Sequence, residues 1–342
     1  MKKILITGGA GFIGHHLVEA VLKDTDFEIV ILDRLDCSGN LNRLTDISIW
    51  EAQKHRVKFV WHDLRAEINS FVEKETGDVD YIIHLASSTH VDRSIEDPMM
   101  FVMDNVVGTC NLLNFARKLP NLKKFINFST DEVFGPAEAG VFFKENSPHK
   151  PSNPYAATKG GQVDLGYSFC VTYKLPVINT FTMNNFGERQ HPEKLIPKAI
   201  RNILSEKPMP IFSVLDPNTH ELKAVGSRCW LHCRNTASAI LFLLENGKPG
   251  EEYNIIGEGE YTNLEICEMA AKFVGKKLIP DFVDFHSSRP GHDIRYALDG
   301  SKLRELGWKL PMSVQESLKK TVEWTLKNDK WLYETNKAKY EK

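Results

Sequence analysis

A hydroxyl and two adjacent carboxyl groups stand at the end of an apolar run in Asn127-Phe128-Ser129-Thr130-Asp131-Glu132-Val133-Phe134-Gly135. The C-terminal end of a strand is where a parallel sheet places its ligands. Thr130, Asp131 and Glu132 are therefore candidate catalytic groups, against the plainer reading that the two acids cap the next turn. Paired carboxyls can take opposite roles. One removes a proton acidified by a neighbouring ketone while the other protonates a departing hydroxyl. Making that ketone needs an oxidation, and Tyr155 with Lys159 suits it. At i and i+4 they share one helix face. An ammonium beside a phenol favours the phenolate, so the tyrosine can act as a base near neutral pH. The spacing alone says little in a chain with nine tyrosines, and Tyr333 with Lys337 repeats it in a polar tail that reads as a solvated helix face. Position sets Tyr155 and Lys159 apart, because they follow a glycine turn and the strand that ends at Thr130.

That glycine turn is Ile4-Leu5-Ile6-Thr7-Gly8-Gly9-Ala10-Gly11-Phe12-Ile13-Gly14. Glycines at 8, 11 and 14 let the turn close, let the backbone approach a pyrophosphate and let the helix pack on the strand, with its N-terminus facing the phosphates. Asp33 ends the second strand, where a carboxylate can bond a ribose diol and repel a 2′-phosphate. Dinucleotide binding follows, with NAD favoured over NADP, although Arg34 pulls the other way.

Apolar runs at Lys3–Thr7, Glu28–Leu32, Val57–Trp61, Tyr81–Leu85, Lys124–Ser129 and Val177–Thr182 alternate with helical spacing at His15–Lys23, Pro98–Lys118 and Asn153–Tyr173. This alternation predicts an α/β fold, a doubly wound parallel sheet covered on both faces. After about residue 184 prolines multiply and strand signals thin out, which predicts a smaller mixed α/β lobe. Asn235–Glu245 and Glu252–Ile256 read as a return to the first lobe. The expected division is 1–183 plus 234–257 for the dinucleotide-binding domain, and 184–233 plus 258–342 for the second lobe. Ser313 and Glu316 form a capping box ahead of a last amphipathic helix.

The balance of 43 Lys+Arg against 45 Asp+Glu argues against a nucleic-acid-coating protein. Six scattered cysteines make no disulfide scaffold, and Cys229, His232 and Cys233 have no second pair that would complete a zinc site. No metal, membrane or nucleic-acid partner is expected, and the reading is of a soluble cytoplasmic protein.

The motifs GGAGFIG (8–14), HVDRSI (90–95), STDEVFG (129–135), YAATK (155–159), NNFG (184–187), PEKLIP (192–197) and RPGHDIRYALD (289–299) resemble those of the extended short-chain dehydrogenase/reductase family. Within it they are most similar to the nucleotide-diphosphosugar 4,6-dehydratases, over residues 1 to about 330. The resemblance implies that Tyr155, assisted by Lys159 and Thr130, takes the proton of the sugar 4-hydroxyl as hydride passes from C4 to NAD. Glu132 would remove the C5 proton and Asp131 would protonate the C6 hydroxyl. The hydride then returns to C6, regenerating NAD. Phe12, Ile13, Asp63, Leu64, Leu85, Ala86, Ser87 and Asn185 match cofactor positions. Thr89, Asn184, Lys194, Leu195, Pro210, Phe212, Arg228, Asn263, Arg289 and His292 match positions for the nucleotide sugar. The family also implies a homodimer in which Pro98–Lys118 and Asn153–Tyr173 form a four-helix bundle with their symmetry mates.

Several residues depart from the family pattern. Ser87-Ser88 lacks a usual acid, Phe134 replaces a usual tyrosine, and Cys233-Arg234-Asn235 replaces an acidic pair. Ser213–Ser227 is longer than the usual short turn and reads as a hairpin around Asp216-Pro217-Asn218. That segment normally borders the nucleobase, which leaves dTDP, UDP and GDP open, together with the identity of the sugar. The enzyme alternatives are a 4-epimerase of nucleotide sugars and a dehydratase for another sugar. From another class, a redox-sensing NAD-binding regulator would not need to retain Tyr155, Lys159 and the acid pair.

Overall fold

The computed structural model describes residues 1–36, 38–216, 221–285 and 293–333. The apolar runs become the strands β1 (Lys3–Thr7), β2 (Glu28–Asp33), β3 (Val57–Trp61), β4 (Tyr81–His84), β5 (Lys124–Thr130), β6 (Val177–Thr182) and β12 (Glu252–Ile255). They form one sheet in the order β12-β6-β5-β4-β1-β2-β3. Every adjacent pair is parallel. The winding reverses between β1 and β4, which opens a crevice at the carboxyl ends of the strands.

Both sheet faces are covered, which explains why the strands read as nearly unbroken apolar runs. On one face, Ile4, Ile6, Ile29 and Ile83 pack beneath helices α1 (Phe12–Asp24) and α4 (Cys233–Asn246). On the other, Leu5, Val30, Ile82 and Phe125 meet the helix Gly108–Ala116 and α2 (Pro154–Tyr173). The expected return of the chain is present: β12 pairs with β6 after the second lobe has intervened.

The predicted helix over 98–118 is divided. It runs as Pro98–Phe101, a π-helical piece Val102–Val107, and Gly108–Ala116. The wider π turn brings consecutive polar residues, Asp104 and Asn105, to buried positions.

The second lobe holds more strands than the sequence suggested. β7 (Asn185–Phe186) pairs with β11 (Leu231–His232), and β10 (Ser227–Arg228) with β13 (Tyr261–Thr262). β8 (Met209–Leu215) lies between β14 (Pro280–Asp284) and β9 (Leu222–Ala224). Most are too short to show a period of two. The predicted hairpin is there, with Ser213 opposite Ala224 and Leu215 opposite Leu222. Of its expected turn, Pro217 and Asn218 lie outside the described residues. Helices α3 (Leu195–Leu204), α5 (Asn263–Val274) and α6 (Val314–Lys327) share the core of this lobe. The Ser313–Glu316 capping box opens α6 as read. No helix among the described residues is long and apolar enough to cross a membrane.

Candidate active site

The glycine turn leaves no room for side chains. Gly8 has φ +69°, and a Cβ there would lie 2.9 Å from Ala86 N. A Cβ on Gly14 would fall 2.1 Å from Gly8 O. Gly11 caps α1 with no side-chain acceptor, so first-turn N–H groups stay open to an anion. Asp33 at the tip of β2 accepts from Ala10 N at 3.0 Å and Leu35 N at 2.8 Å, which holds its carboxylate over the turn. This cradle, and an acid where a ribose diol would lie, fit a dinucleotide. Arg34, which the sequence left as a counter-argument for NADP, is occupied. Its guanidinium donates to both oxygens of Asp104 at 2.6 and 2.7 Å and to Asp36 at 2.7 Å. A 2′-phosphate would meet carboxylates there. Asp63, expected near the cofactor, bonds Arg65 and lies 3.4 Å from Arg34, so it belongs to the same charge cluster. Asn185 is less open than expected: its amide is tied to Thr182, Met183 and Thr236.

At the end of β5 the structure brings Thr130, Asp131, Glu132 and Tyr155 together. Thr130 Oγ1 donates to Asp131 Oδ1 at 2.8 Å and is hydrogen-bonded to the Tyr155 phenol. Glu132 Oε2 accepts from Asn153 Nδ2 and from Tyr296 Oη, both at 3.3 Å. Neither partner was singled out from the sequence. Asn153 also caps α2 through Ala156 N, so one residue starts the tyrosine's helix and holds the carboxylate. An N-cap asparagine directly before the Tyr155 helix was the available signal; Tyr296 lay unassigned inside a quoted motif.

The expected Lys159–Tyr155 partnership takes a different form. Lys159 Nζ donates to Phe128 O and to Gln162 Oε1, each at 2.6 Å. Burial, then the Glu132 charge, raises the phenol well above its ordinary range. Burial pulls Lys159 down to about 7. The ammonium therefore sits against the sheet, and sharing a helix face did not bring the two side chains into direct contact.

Burial also raises both carboxyls. Asp131 is raised to about 7, first by burial and then by Glu132 beside it, and its Oδ2 is buried with no hydrogen-bond partner. Arg228 and Lys194 pull Glu132 the other way. Burial thus favours the protonated form of both, while Glu132 pushes Asp131 further toward the acid and the cations and donors around Glu132 pull it toward the base. The folded value of Asp131 lies above its unfolded one. Its stabilising contribution is complete below the unfolded pKa and is lost as pH rises through about 7. Asp131→Asn is accordingly expected to raise stability near pH 8 by on the order of 2–4 kcal/mol. The gain should shrink as pH falls toward the unfolded value; thermal unfolding across that range checks it.

Among the positions matched to the nucleotide sugar, Arg228 stacks on Tyr296 at 4.4 Å and donates to Asp293 O and Ile294 O, while its charge reaches both acids. Lys194 caps α3 from an exposed position. Thr89 and Asn184 are exposed, and Pro210 and Phe212 are half-buried on β8. Asn263 packs so close to Gly226 that a Cβ there would lie 2.6 Å from its amide nitrogen. Arg289 and His292 lie outside the described residues. Phe134, in place of a tyrosine, is fully buried against Phe143, Phe181 and His149.

Residues 5–321 match the family model described as GDP-mannose 4,6 dehydratase. The dTDP-glucose 4,6-dehydratase of Salmonella typhimurium is 38% identical over 99% of this chain and 97% of that protein. That of Neisseria gonorrhoeae is 40% identical over 96% of each. Among solved structures, DesIV, a dTDP-glucose 4,6-dehydratase from Streptomyces venezuelae with NAD bound, has a TM-score of 0.86 at 35% identity, covering 97% of this chain and 99% of that one. A UDP-glucose 4-epimerase from Thermus thermophilus with NAD scores 0.82 at 26% identity, over 94% of this chain and 98% of that one.

Proposed function

The chain belongs to the GDP-mannose 4,6-dehydratase family, and on that footing we propose that it is an NAD-dependent dehydratase converting an NDP-glucose to the 4-keto-6-deoxy sugar. The observation that carries the reading is the geometry of the acid pair: Glu132, held by Asn153 and Tyr296, stands beside a buried Asp131 bonded to Thr130. A 4-epimerase shares the fold, the cofactor and the Tyr-x-x-x-Lys motif, but has no step that expels water.

Bound NAD supplies a reversible hydride store between C4 and C6. Tyr155 passes its phenol proton through Thr130 to Asp131 and then, as the phenolate, takes the C4 hydroxyl proton. Glu132, steered by Asn153 and Tyr296, removes the C5 proton and later gives it back. Asp131 protonates the C6 oxygen, which leaves as water. One turnover leaves Tyr155 with an extra proton and Asp131 without one. Thr130, bonded to both, is the path that restores them.

The three dehydratases named above are named for dTDP-glucose, and the same nucleotide sugar is the first to test here. The hairpin argues for a changed base pocket: Val225 N donates to Phe212 O at 2.8 Å and Asn263 N to Gly226 O at 2.8 Å, so its return strand ties together two positions matched to the nucleotide sugar. Incubation with dTDP-, UDP- and GDP-glucose, with products weighed, should show loss of one water from at least one of them. No water loss from any would defeat the reading. Replacing residues 213–227 by a short glycine turn is expected to change the order of kcat/KM among the three. An unchanged order would make the hairpin a tolerated surface insertion, since loop length costs little, about 0.6 kcal/mol per doubling.

A homodimer is the proposed assembly. Met99, Tyr167 and Val171 expose 63%, 59% and 51% of their surface on the helices expected to pair. Light scattering at micromolar concentration should give twice the chain mass; a monomer would count against the bundle.

A further inference from the structure

Three amides cross the sheet from the catalytic lysine to a carboxylate two strands away. Lys159 Nζ donates to Gln162 Oε1 at 2.6 Å, and Gln162 Nε2 to Asn127 Oδ1 at 2.6 Å. Asn127 Nδ2 donates to Asn179 Oδ1 at 2.9 Å, and Asn179 Nδ2 to Glu252 Oε1 at 3.2 Å. Asn127, Asn179 and Glu252 lie in register on β5, β6 and β12. The two ends dictate the polarity. An ammonium can only donate and a carboxylate can only accept, so each amide must turn its oxygen toward the lysine. Asn127 and Gln162 are fully buried, and Lys159 and Asn179 expose only 3% and 4%. Room is made by Gly166 of α2, where a Cβ would lie 2.7 Å from Asn179 Oδ1. Polar residues in strand interiors that are otherwise apolar are costly unless fully bonded, and these are.

We propose that Gln162, Asn127, Asn179 and Glu252 act as a hydrogen-bonded relay that positions Lys159 and holds it as an ammonium beside the reacting sugar. None of the four touches the acid pair. Each donor–acceptor link polarises the next, so the Glu252 charge makes Gln162 Oε1 a stronger acceptor than an isolated amide. Together with Phe128 O, it takes two of the ammonium's three N–H groups. Burial works against the charged lysine, and the relay opposes it.

The inference rests on Lys159 serving Tyr155 as proposed above, and its test separates the two. In a Glu132→Gln background, elimination is blocked and C4 oxidation appears as absorbance of reduced nicotinamide. Adding Gln162→Leu should slow that signal about 10- to 100-fold, the worth of a hydrogen bond to a charged group, with sugar affinity unchanged. An unchanged rate in folded Gln162→Leu protein overturns the relay. No signal from the parent with any nucleotide sugar overturns the functional reading instead.

A stability cycle tests the relay without turnover. Gln162→Glu makes both ends acceptors, so the amides cannot all be satisfied. Gln162→Glu with Glu252→Gln restores the side-chain ladder in reversed polarity, though not the bonds that Asn127 Nδ2 and Asn179 Nδ2 give to Gln162 O and Val163 O. The second change should recover part of the unfolding midpoint lost to the first, although the two residues are separated by two asparagines. Additive effects, or a double variant no more stable than Gln162→Glu alone, would overturn it.

Discussion

Glu132→Gln is expected to cut dehydration about 10²–10⁴-fold, the usual cost of losing a general base. The amide keeps the shape of the side chain and can still accept from Asn153 and Tyr296 through its oxygen. It cannot take the C5 proton. Cofactor and sugar should bind as before, because the groups that form the glycine cradle are untouched. C4 oxidation should survive, so reduced nicotinamide should build up on the enzyme instead of being consumed. Stopped-flow absorbance and product mass check the two halves separately. Full turnover by this variant would remove Glu132 from the mechanism.

Tyr155→Phe should fail one step earlier. A loss of about 10²–10⁴-fold is expected again, now in C4 oxidation itself, so no reduced nicotinamide should appear. The ring packs edge-on to Phe101 at 6.3 Å, an arrangement phenylalanine can keep, and the fold should therefore survive. In the structure burial and the Glu132 charge oppose ionisation of Tyr155. A protonated phenol cannot accept the hydroxyl proton, so Tyr155 must first pass its own proton through Thr130 to Asp131. A Tyr155→Phe variant that still reduced the cofactor at an undiminished rate would shift the base role elsewhere, with Glu132 the nearest candidate.

On the proposed mechanism, the two variants isolate the half of the site that any nucleotide-sugar oxidoreductase of this fold would share and the half that would make it a dehydratase. The epimerase resemblance in overall fold cannot separate the enzymes, because the sheet and its crevice serve both. On the proposed mechanism, separation comes from the two carboxyls that follow β5, Asp131 and Glu132.

Much of this was legible in residue order. The glycine spacing, Asp33 and the strand-end acids are local patterns: each depends on neighbours within one strand, turn or helix, and a parallel sheet places strand ends at its ligand crevice. The predicted strands of the first lobe appear within a residue of their expected ends, because central strands buried on both faces must be apolar throughout. The short strands of the second lobe were missed, since a two-residue strand has no periodicity to read. Tertiary structure alone decided what lies between distant segments. Arg34 was ambiguous as a neighbour of Asp33 and became committed when the π turn delivered Asp104 to its guanidinium. Asn153 and Tyr296 converge on Glu132 from separate elements. Lys159 left Tyr155 for the sheet because burial demands that an ammonium find acceptors, and Phe128 O and Gln162 Oε1 were the ones in reach. Local sequence could name the candidate reacting groups, but their charge states depend on burial and on partners far away in the chain, which exist only once the sheet has closed around them.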